Sequence, residues 1–546
     1  MRQLFIALAL LVSLSSMAQK KQKAPNYRER PKLVVGIIVD QMRWDYLYRY
    51  YDRYTENGGF KRFLHQGFTC ENTLIPYTPS ITACGHATVY TGTTPAIHGI
   101  TGNDWFDNVQ GRSVYCVEDA KVQNVGSTGK QGQMSPKNMQ VTTITDELRL
   151  GTNFRSKVVG ISIKDRGAIL PAGHTGNAAY WYDGSTGKFI TSTHYMNDLP
   201  NWAKEFNAKD WPGELLKKGW ETLYPIDTYV NSSSDENGWE ETPFSDYGKK
   251  FPYDLKGYAG KNYGKVSSTP HGNTLTFEFA KAALLNEGLG KDEFTDFLAV
   301  SFSSPDYVGH AFGPNSIEAE DNYLRLDIEM GEFFDFLDKT VGKGEWMVFL
   351  SADHGAAHVP AYLNENRIPA GTLSTSGMAR ELGKELTVKY GTHRLISAAQ
   401  NYQVSLNHKL IDSMKLDLED VKATVITLLE ANEIVERAFD NTKTLVTSLP
   451  KKVREMVVNG YYPDRSGDIQ IILKPQYFSG SAKGTTHGSW YNYDTHIPLL
   501  FYGWKIPHGK LNRETYMTDI APTLAALLKL QMPSGATGHV IEEVVK

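Results

Sequence analysis

Two short segments carry the side chains from which a metal site is built. SSPDYVGH supplies Asp306 and His310 four positions apart, on one face of a helical turn. SADHG supplies adjacent Asp353 and His354 ahead of Gly355, whose backbone can turn sharply. A third imidazole, His487, lies in the Gly-, Ser- and Thr-rich KGTTHGS, and Asp40 closes the apolar run LVVGIIV. Oxygen and imidazole donors without thiolate suit zinc in a catalytic site that keeps one position open for water or substrate. His65, His86, His174 and His358 are read as ordinary surface or core residues.

A third kind of segment adds a nucleophile. YTPSITACGHATVYTG sets Thr82 after a Pro-containing turn at the start of a predicted helix, where free N–H groups and the helix dipole favour an anion. Ser80 and Thr78 compete with it, and spacing alone does not choose among the three hydroxyls. Downstream, HGITGN offers Asn103 as an amide donor. ISIKDRG closes another apolar run with Lys164 and Arg166 two apart, which puts them on one side of the chain and Asp165 on the other.

These residues need a scaffold that brings distant segments to one edge. Apolar, β-branched runs at 33–39, 157–163, 297–302, 346–350 and 497–502 alternate with helical patterns at 82–91, 273–287, 317–338 and 517–530. Runs apolar on both faces predict a parallel sheet covered by helices on both sides, an α/β fold. In such sheets ligands bind beyond the carboxyl ends of the strands, where Asp40, Lys164, Asp306 and Asp353 all fall. Two stretches break the rhythm, at about 171–267 and 361–480, and are read as insertions into a single catalytic domain over 31–546. The second carries its own helix (417–432) and strand (468–473).

Composition excludes other classes. The 57 Lys plus Arg against 61 Asp plus Glu leave a net charge of −4, with neither the basic excess of a nucleic-acid binder nor an acidic tail. Residues 1–18 have the parts of a secretory signal peptide: Arg2, an apolar run from Leu4 to Val12, and Ser16-Met17-Ala18 as the cleavage site. About 11 apolar-rich residues fall short of the roughly 20 that span a bilayer. The expected product is periplasmic or secreted, without a membrane anchor after cleavage, and monomeric. Cys70, Cys84 and Cys116 are too few for a disulfide scaffold and are read either as one bridge plus a free thiol or as small buried residues.

Taken in order, VVDQM, SITACGHATVYTG, GITGN, KDR, SSPDYVGH, SADHG and TTHGS resemble the alkaline phosphatase superfamily. Within it they are most similar to the phosphate-irrepressible bacterial alkaline phosphatases with a threonine nucleophile, relatives of the nucleotide pyrophosphatase/phosphodiesterases. The resemblance covers about residues 31–540, with TDIAPTLAALL as the closing helix. It implies one Zn²⁺ on Asp306, His310 and His487 and a second on Asp40, Asp353, His354 and the Thr82 oxygen, with no required Mg²⁺. It also implies Thr82 as the residue that forms a phosphothreonine intermediate, and Asn103, Lys164 and Arg166 as the groups that hold the phosphoryl oxygens.

Charge then separates the substrates. Two dipositive ions, three carboxylates, the Thr82 alkoxide, Lys164 and Arg166 leave the site two charges positive. A phosphate monoester dianion neutralises that excess, whereas a diester monoanion does not. The expected activity is therefore that of a phosphomonoesterase, EC 3.1.3.1, acting on small-molecule phosphate monoesters. A phosphodiesterase or nucleotide pyrophosphatase of the same superfamily is the first alternative, and a non-catalytic secreted zinc-binding protein is the remote one. A sulfatase is excluded because Cys84 is followed by Gly85, His86, Ala87 and Thr88 rather than by the Pro and Arg of C/S-x-P-x-R.

Overall fold

A computed structural model describes residues 29–546 apart from Ser245 and Tyr247. The expected leader at 1–18 lies outside the described residues.

The fold is built on one large sheet. Trp346–Ser351, Leu33–Val39, Asp296–Phe302, Val158–Ser162 and Ala178–Asp183 lie side by side in that order and run parallel. Every residue of these five strands is buried, which is why their sequences read as unbroken apolar runs. Helices cover both faces. On one side Thr82–Thr91 lies so close that a Cβ at Gly36 would collide with the Tyr90 hydroxyl. On the other, Phe277 of the helix His271–Glu287 packs on Phe302, ring centroids 4.3 Å apart, and on Phe333 of Ile317–Leu337. Among the described residues no helix is long and apolar enough to cross a membrane.

Two expectations change. The apolar run at 497–502 forms the strand His496–Gly503, but it runs antiparallel to Trp346–Ser351 and to Phe68–Leu74 beyond it. Burial on both faces produces the same apolar run whichever way a strand points, so the pattern could not reveal its direction. The stretch 171–267 begins by extending the sheet rather than leaving it: Ala178–Asp183 is a parallel member, and Lys188–Ser192 pairs antiparallel at its side.

Within 361–480 a second sheet forms, Ile396–Gln400, Gln403–Leu406, Ile469–Leu473 and Val435–Asp440 in that order, all antiparallel. Leu386, Val404, Val421, Val425 and Ile469 centre a hydrophobic cluster of its own beneath the helices Thr375–Tyr390 and Leu418–Glu430. Cys70, Cys84 and Cys116 are all buried free thiols, so no bridge joins any pair of them.

Candidate active site

Each parallel strand delivers a polar residue at its carboxyl end. Leu33–Val39 runs directly into Asp40, and Trp346–Ser351 leads into Asp353 and His354. Asp296–Phe302 leads into the helix Ser304–Phe312, whose one-turn spacing puts Asp306 and His310 on the same side. Val158–Ser162 leads to Lys164, the cap of the helix Asp165–Ala172, with Arg166 in its first turn. Thr82 opens the helix Thr82–Thr91. That helix reaches the site because residue 85 is glycine; a Cβ there would collide with the Asp353 backbone.

The carboxylates and imidazoles meet in two overlapping groups, Asp306 with His310 and His487, and Asp40 with Asp306 and His354. His310 Nε2 is 3.2 Å and His487 Nε2 3.8 Å from Asp306 Oδ1. His354 Nε2 is 3.5 Å from both Asp40 Oδ1 and Asp353 Oδ2, and 3.3 Å from Thr82 Oγ1. The rings of His354 and His487 stack with centroids 3.4 Å apart, which ties the two groups together.

Three features of the arrangement fit divalent cations. First, His310, His354 and His487 each turn Nδ1 to a backbone carbonyl, those of Thr485 (2.7 Å), Gly355 (3.0 Å) and Ser80 (2.8 Å). In a neutral ring, an Nδ1–H donated to a carbonyl leaves Nε2 as a lone pair facing the carboxylates, the tautomer a metal ligand requires. Second, Asp40 Oδ1 and Asp353 Oδ2 are buried without a hydrogen-bond partner, and such orphaned oxygens are costly unless an ion takes them. Third, three buried carboxylates cluster around one lysine, which contacts two of them, Asp40 and Asp306. Burial, then the charges of Asp306 and Asp353, push the Asp40 carboxyl well above its usual range. Burial acts on Asp306 as well, but His310 and Lys164 outweigh it and hold that carboxyl well below its usual range. Burial keeps His354 and His487 neutral.

Across from these groups stand the candidate anion holders. Lys164 is buried and donates to Asp40 Oδ2 (2.7 Å) and Asp306 Oδ2 (2.5 Å). Burial works against its charge, and Asp306 and Asp40 outweigh it, so the ammonium stays protonated. Arg166 Nη1 donates to the Tyr115 hydroxyl at 3.1 Å, and its Nε is buried without a partner. Asn103 accepts the Ala83 N–H through Oδ1 at 3.0 Å, which directs its NH₂ the other way. The three hydroxyls that compete in the sequence part company. Ser80 Oγ donates to Ser489 O at 2.9 Å and Thr78 Oγ1 to Gly488 O at 3.4 Å, while Thr82 Oγ1 faces His354.

The ten candidate site residues from the sequence, Asp40, Thr82, Asn103, Lys164, Arg166, Asp306, His310, Asp353, His354 and His487, thus lie around one place. Three more contribute that the sequence did not flag. Gln41 donates from Nε2 to Asp306 Oδ1 (2.8 Å) and from its backbone N–H to Asp353 Oδ1 (3.1 Å). His86, read as an ordinary histidine, has Nδ1 3.4 Å from Asp353 Oδ2 and 2.9 Å from Thr82 O, with Nε2 2.8 Å from Ser301 Oγ. Tyr115 bridges Arg166 and Asp165, donating to Asp165 Oδ1 at 2.5 Å. Gln41 adjoins Asp40 and His86 lies one turn after Thr82, so adjacency was their only signal.

Comparison with known proteins agrees with this geometry. Residues 34–496 match the family described as type I phosphodiesterase / nucleotide pyrophosphatase. A protein of Myroides odoratus named calcium-transporting ATPase is 53% identical over 95% of both chains. Alkaline phosphatase PhoV of Synechococcus elongatus is 51% identical over 100% of this chain and 99% of its own. Alkaline phosphatase PafA of Elizabethkingia meningoseptica is 51% identical over 98% of both chains. A crystal structure of wild-type PafA superimposes with a TM-score of 0.93 over 95% of this chain and 99% of that one. The chain therefore belongs to the type I phosphodiesterase / nucleotide pyrophosphatase family of the alkaline phosphatase superfamily, beside its phosphate-irrepressible alkaline phosphatases.

Proposed function

We propose that the protein is an exported di-zinc alkaline phosphatase that hydrolyses phosphate monoesters through a phosphothreonine at Thr82. The observation that carries this reading is the placement of two cations, the buried Lys164 and the half-buried Arg166, beside a cluster of three carboxylates and three imidazoles. A site of that charge selects a phosphoryl dianion over a diester monoanion. The relatives named alkaline phosphatase support the same choice, and the organisation as one catalytic domain rests on ligands that run from Asp40 to His487.

Asp306, His310 and His487 would hold one ion, and Asp40, Asp353, His354 and Thr82 Oγ1 the other. When bound, such ions lower the pKa of a hydroxyl toward neutrality and stabilise the charge of a departing oxygen. The chain does the rest. Asn103, Lys164 and Arg166 hold the non-bridging oxygens and orient phosphorus toward Thr82 Oγ1, so catalysis is largely positioning and charge stabilisation. The helix N-terminus at Thr82 favours the ionised hydroxyl. Attack forms the Oγ1–P bond as the bond to the leaving alcohol breaks. Water entering where the alcohol left then forms a new P–O bond, breaks Oγ1–P and restores Thr82 with release of inorganic phosphate.

In this reading the assigned residues contact only the transferred phosphoryl group, so the ATPase in the name of the Myroides relative is compatible chemistry. Purified protein should turn over p-nitrophenyl phosphate with a kcat/KM well above that for bis-p-nitrophenyl phosphate, and a zinc chelator should abolish both. A diester preference would overturn the monoesterase reading.

A further inference from the structure

The substrate side of the site is assembled from loops that the central sheet does not hold by itself, and the segment 361–480 reaches them. Its strands Ile396–Gln400 and Gln403–Leu406 are joined by the two-residue turn Asn401–Tyr402. Both residues are left-handed, φ 54° and 59°, as a tight hairpin of this length requires. Asparagine tolerates that conformation, but tyrosine adopts it at a cost, so the surroundings must fix it.

They do so at two places. Asn401 Nδ2 donates to Asp104 O at 2.6 Å, beside Asn103, and lies where a Cβ at Gly102 would collide with it. The Tyr402 hydroxyl donates to His487 O at 3.3 Å and accepts from the Ser479 N–H at 3.4 Å. Its ring also packs against Gly488, where a Cβ would stand 2.8 Å from Tyr402 Cε2. The strand behind anchors the turn, because Ile471 N–H and Gln470 Nε2 both donate to Tyr402 O, at 2.8 and 3.0 Å. Arg465 of the same segment adds a second grip on the Asn103 loop. It donates to Gly99 O at 2.5 Å, and its own carbonyl accepts from Thr101 Oγ1 at 3.0 Å.

We propose that the Asn401–Tyr402 turn is a positioning element of the phosphatase reaction, with Asn401 placing the Asn103 amide and Tyr402 placing His487. One turn would thus set the distance between a phosphoryl-oxygen donor and a metal ligand that lie far apart in the chain. The kinetic part of this proposal rests on the function assigned above; the structural part does not.

Asn401→Gly keeps the left-handed conformation and removes the amide. We expect it to lower kcat/KM for p-nitrophenyl phosphate about tenfold, mainly in kcat, and by less than about twofold in the Asn103→Ala background, since coupled residues are not additive. Amide hydrogen exchange should quicken in 99–105 and stay unchanged in 346–351. Should Asn401→Gly fail to fold, Asn401→Asp keeps the shape but cannot donate to Asp104 O, and the same results are expected. Tyr402→Phe should leave 99–105 protected and release zinc to a chelator faster than the wild type. Equal losses in the two backgrounds, unaltered exchange at 99–105, or unaltered zinc release would each overturn the proposal. If the wild type hydrolysed no monoester, the assigned function would fail while the exchange measurement still judged the turn.

Discussion

Lys164 Nζ stands 2.5 Å from Asp306 Oδ2, with both side chains buried. The ammonium therefore meets the carboxylate through which the two candidate metal groups overlap, and Asp40 completes its hold at 2.7 Å. Under the proposed function, a cation so placed would serve as counter-charge to the candidate ligands and as donor to an incoming phosphoryl group. Lys164→Ala should lower kcat/KM for a monoester by roughly 100-fold, the range for losing a hydrogen bond to a charged group in a dry site, and that for a diester by under about tenfold. Equal losses on the two substrates would show that charge does not set the preference.

Arg166 owes its orientation to Tyr115, whose hydroxyl accepts from Nη1 at 3.1 Å while donating to Asp165. Tyr115→Phe removes that anchor and keeps the ring. A monoester kcat/KM lower by about tenfold is expected, with weaker inhibition by inorganic phosphate and no further loss when Arg166→Ala is already present. An additive loss in the double variant would assign Tyr115 a general structural role.

Metal removal should cost stability as well as activity. Asp40 Oδ1 and Asp353 Oδ2 are buried without a hydrogen-bond partner, and any ligand that binds only the folded state raises Tm by mass action. A chelator should lower Tm, and added Zn²⁺ should restore both Tm and turnover. His310→Ala should bind about one equivalent less zinc by elemental analysis. Full zinc content in that variant would remove His310 from the ligand set.

A carboxyl pair outside the site gives a pH signature. Burial raises Glu240 to about 8, and burial together with Glu240 raises Glu318 well above its ordinary value. A raised folded value means that the proton is held more tightly in the folded state. That stabilisation is fully present below the ordinary carboxyl value of 4.5 and is lost as pH rises through about 8. Tm should therefore fall between pH 5 and pH 9, and Glu240→Gln should flatten the fall. An unchanged slope would show that Glu240 ionises freely in the folded protein.

Much of this was legible in the sequence. Strands such as Leu33–Val39 and Trp346–Ser351 stood out because burial on both faces leaves no polar residue to interrupt them. The candidate ligands stood out because chain direction puts Asp40, Asp306 and Asp353 just past strand ends. What stayed hidden depends on contacts between distant segments. The antiparallel course of His496–Gly503 leaves no trace in its composition. The choice of Thr82 over Ser80 and Thr78 needed the motif resemblance, since only the fold turns the other two hydroxyls toward the carbonyls of Ser489 and Gly488. Gln41, His86, Tyr115 and Asn401 carry residue types too common to signal a role, and their positions are fixed by partners tens to hundreds of residues away.

The central claim is the covalent step at Thr82, and trapping it is the most direct measurement. Protein incubated with inorganic phosphate, quenched in acid and digested should yield a peptide phosphorylated at Thr82 by mass spectrometry. The label should be lost in Thr82→Ala together with monoester turnover. Phosphate found on Ser80 or Thr78, or full turnover by Thr82→Ala, would contradict the account.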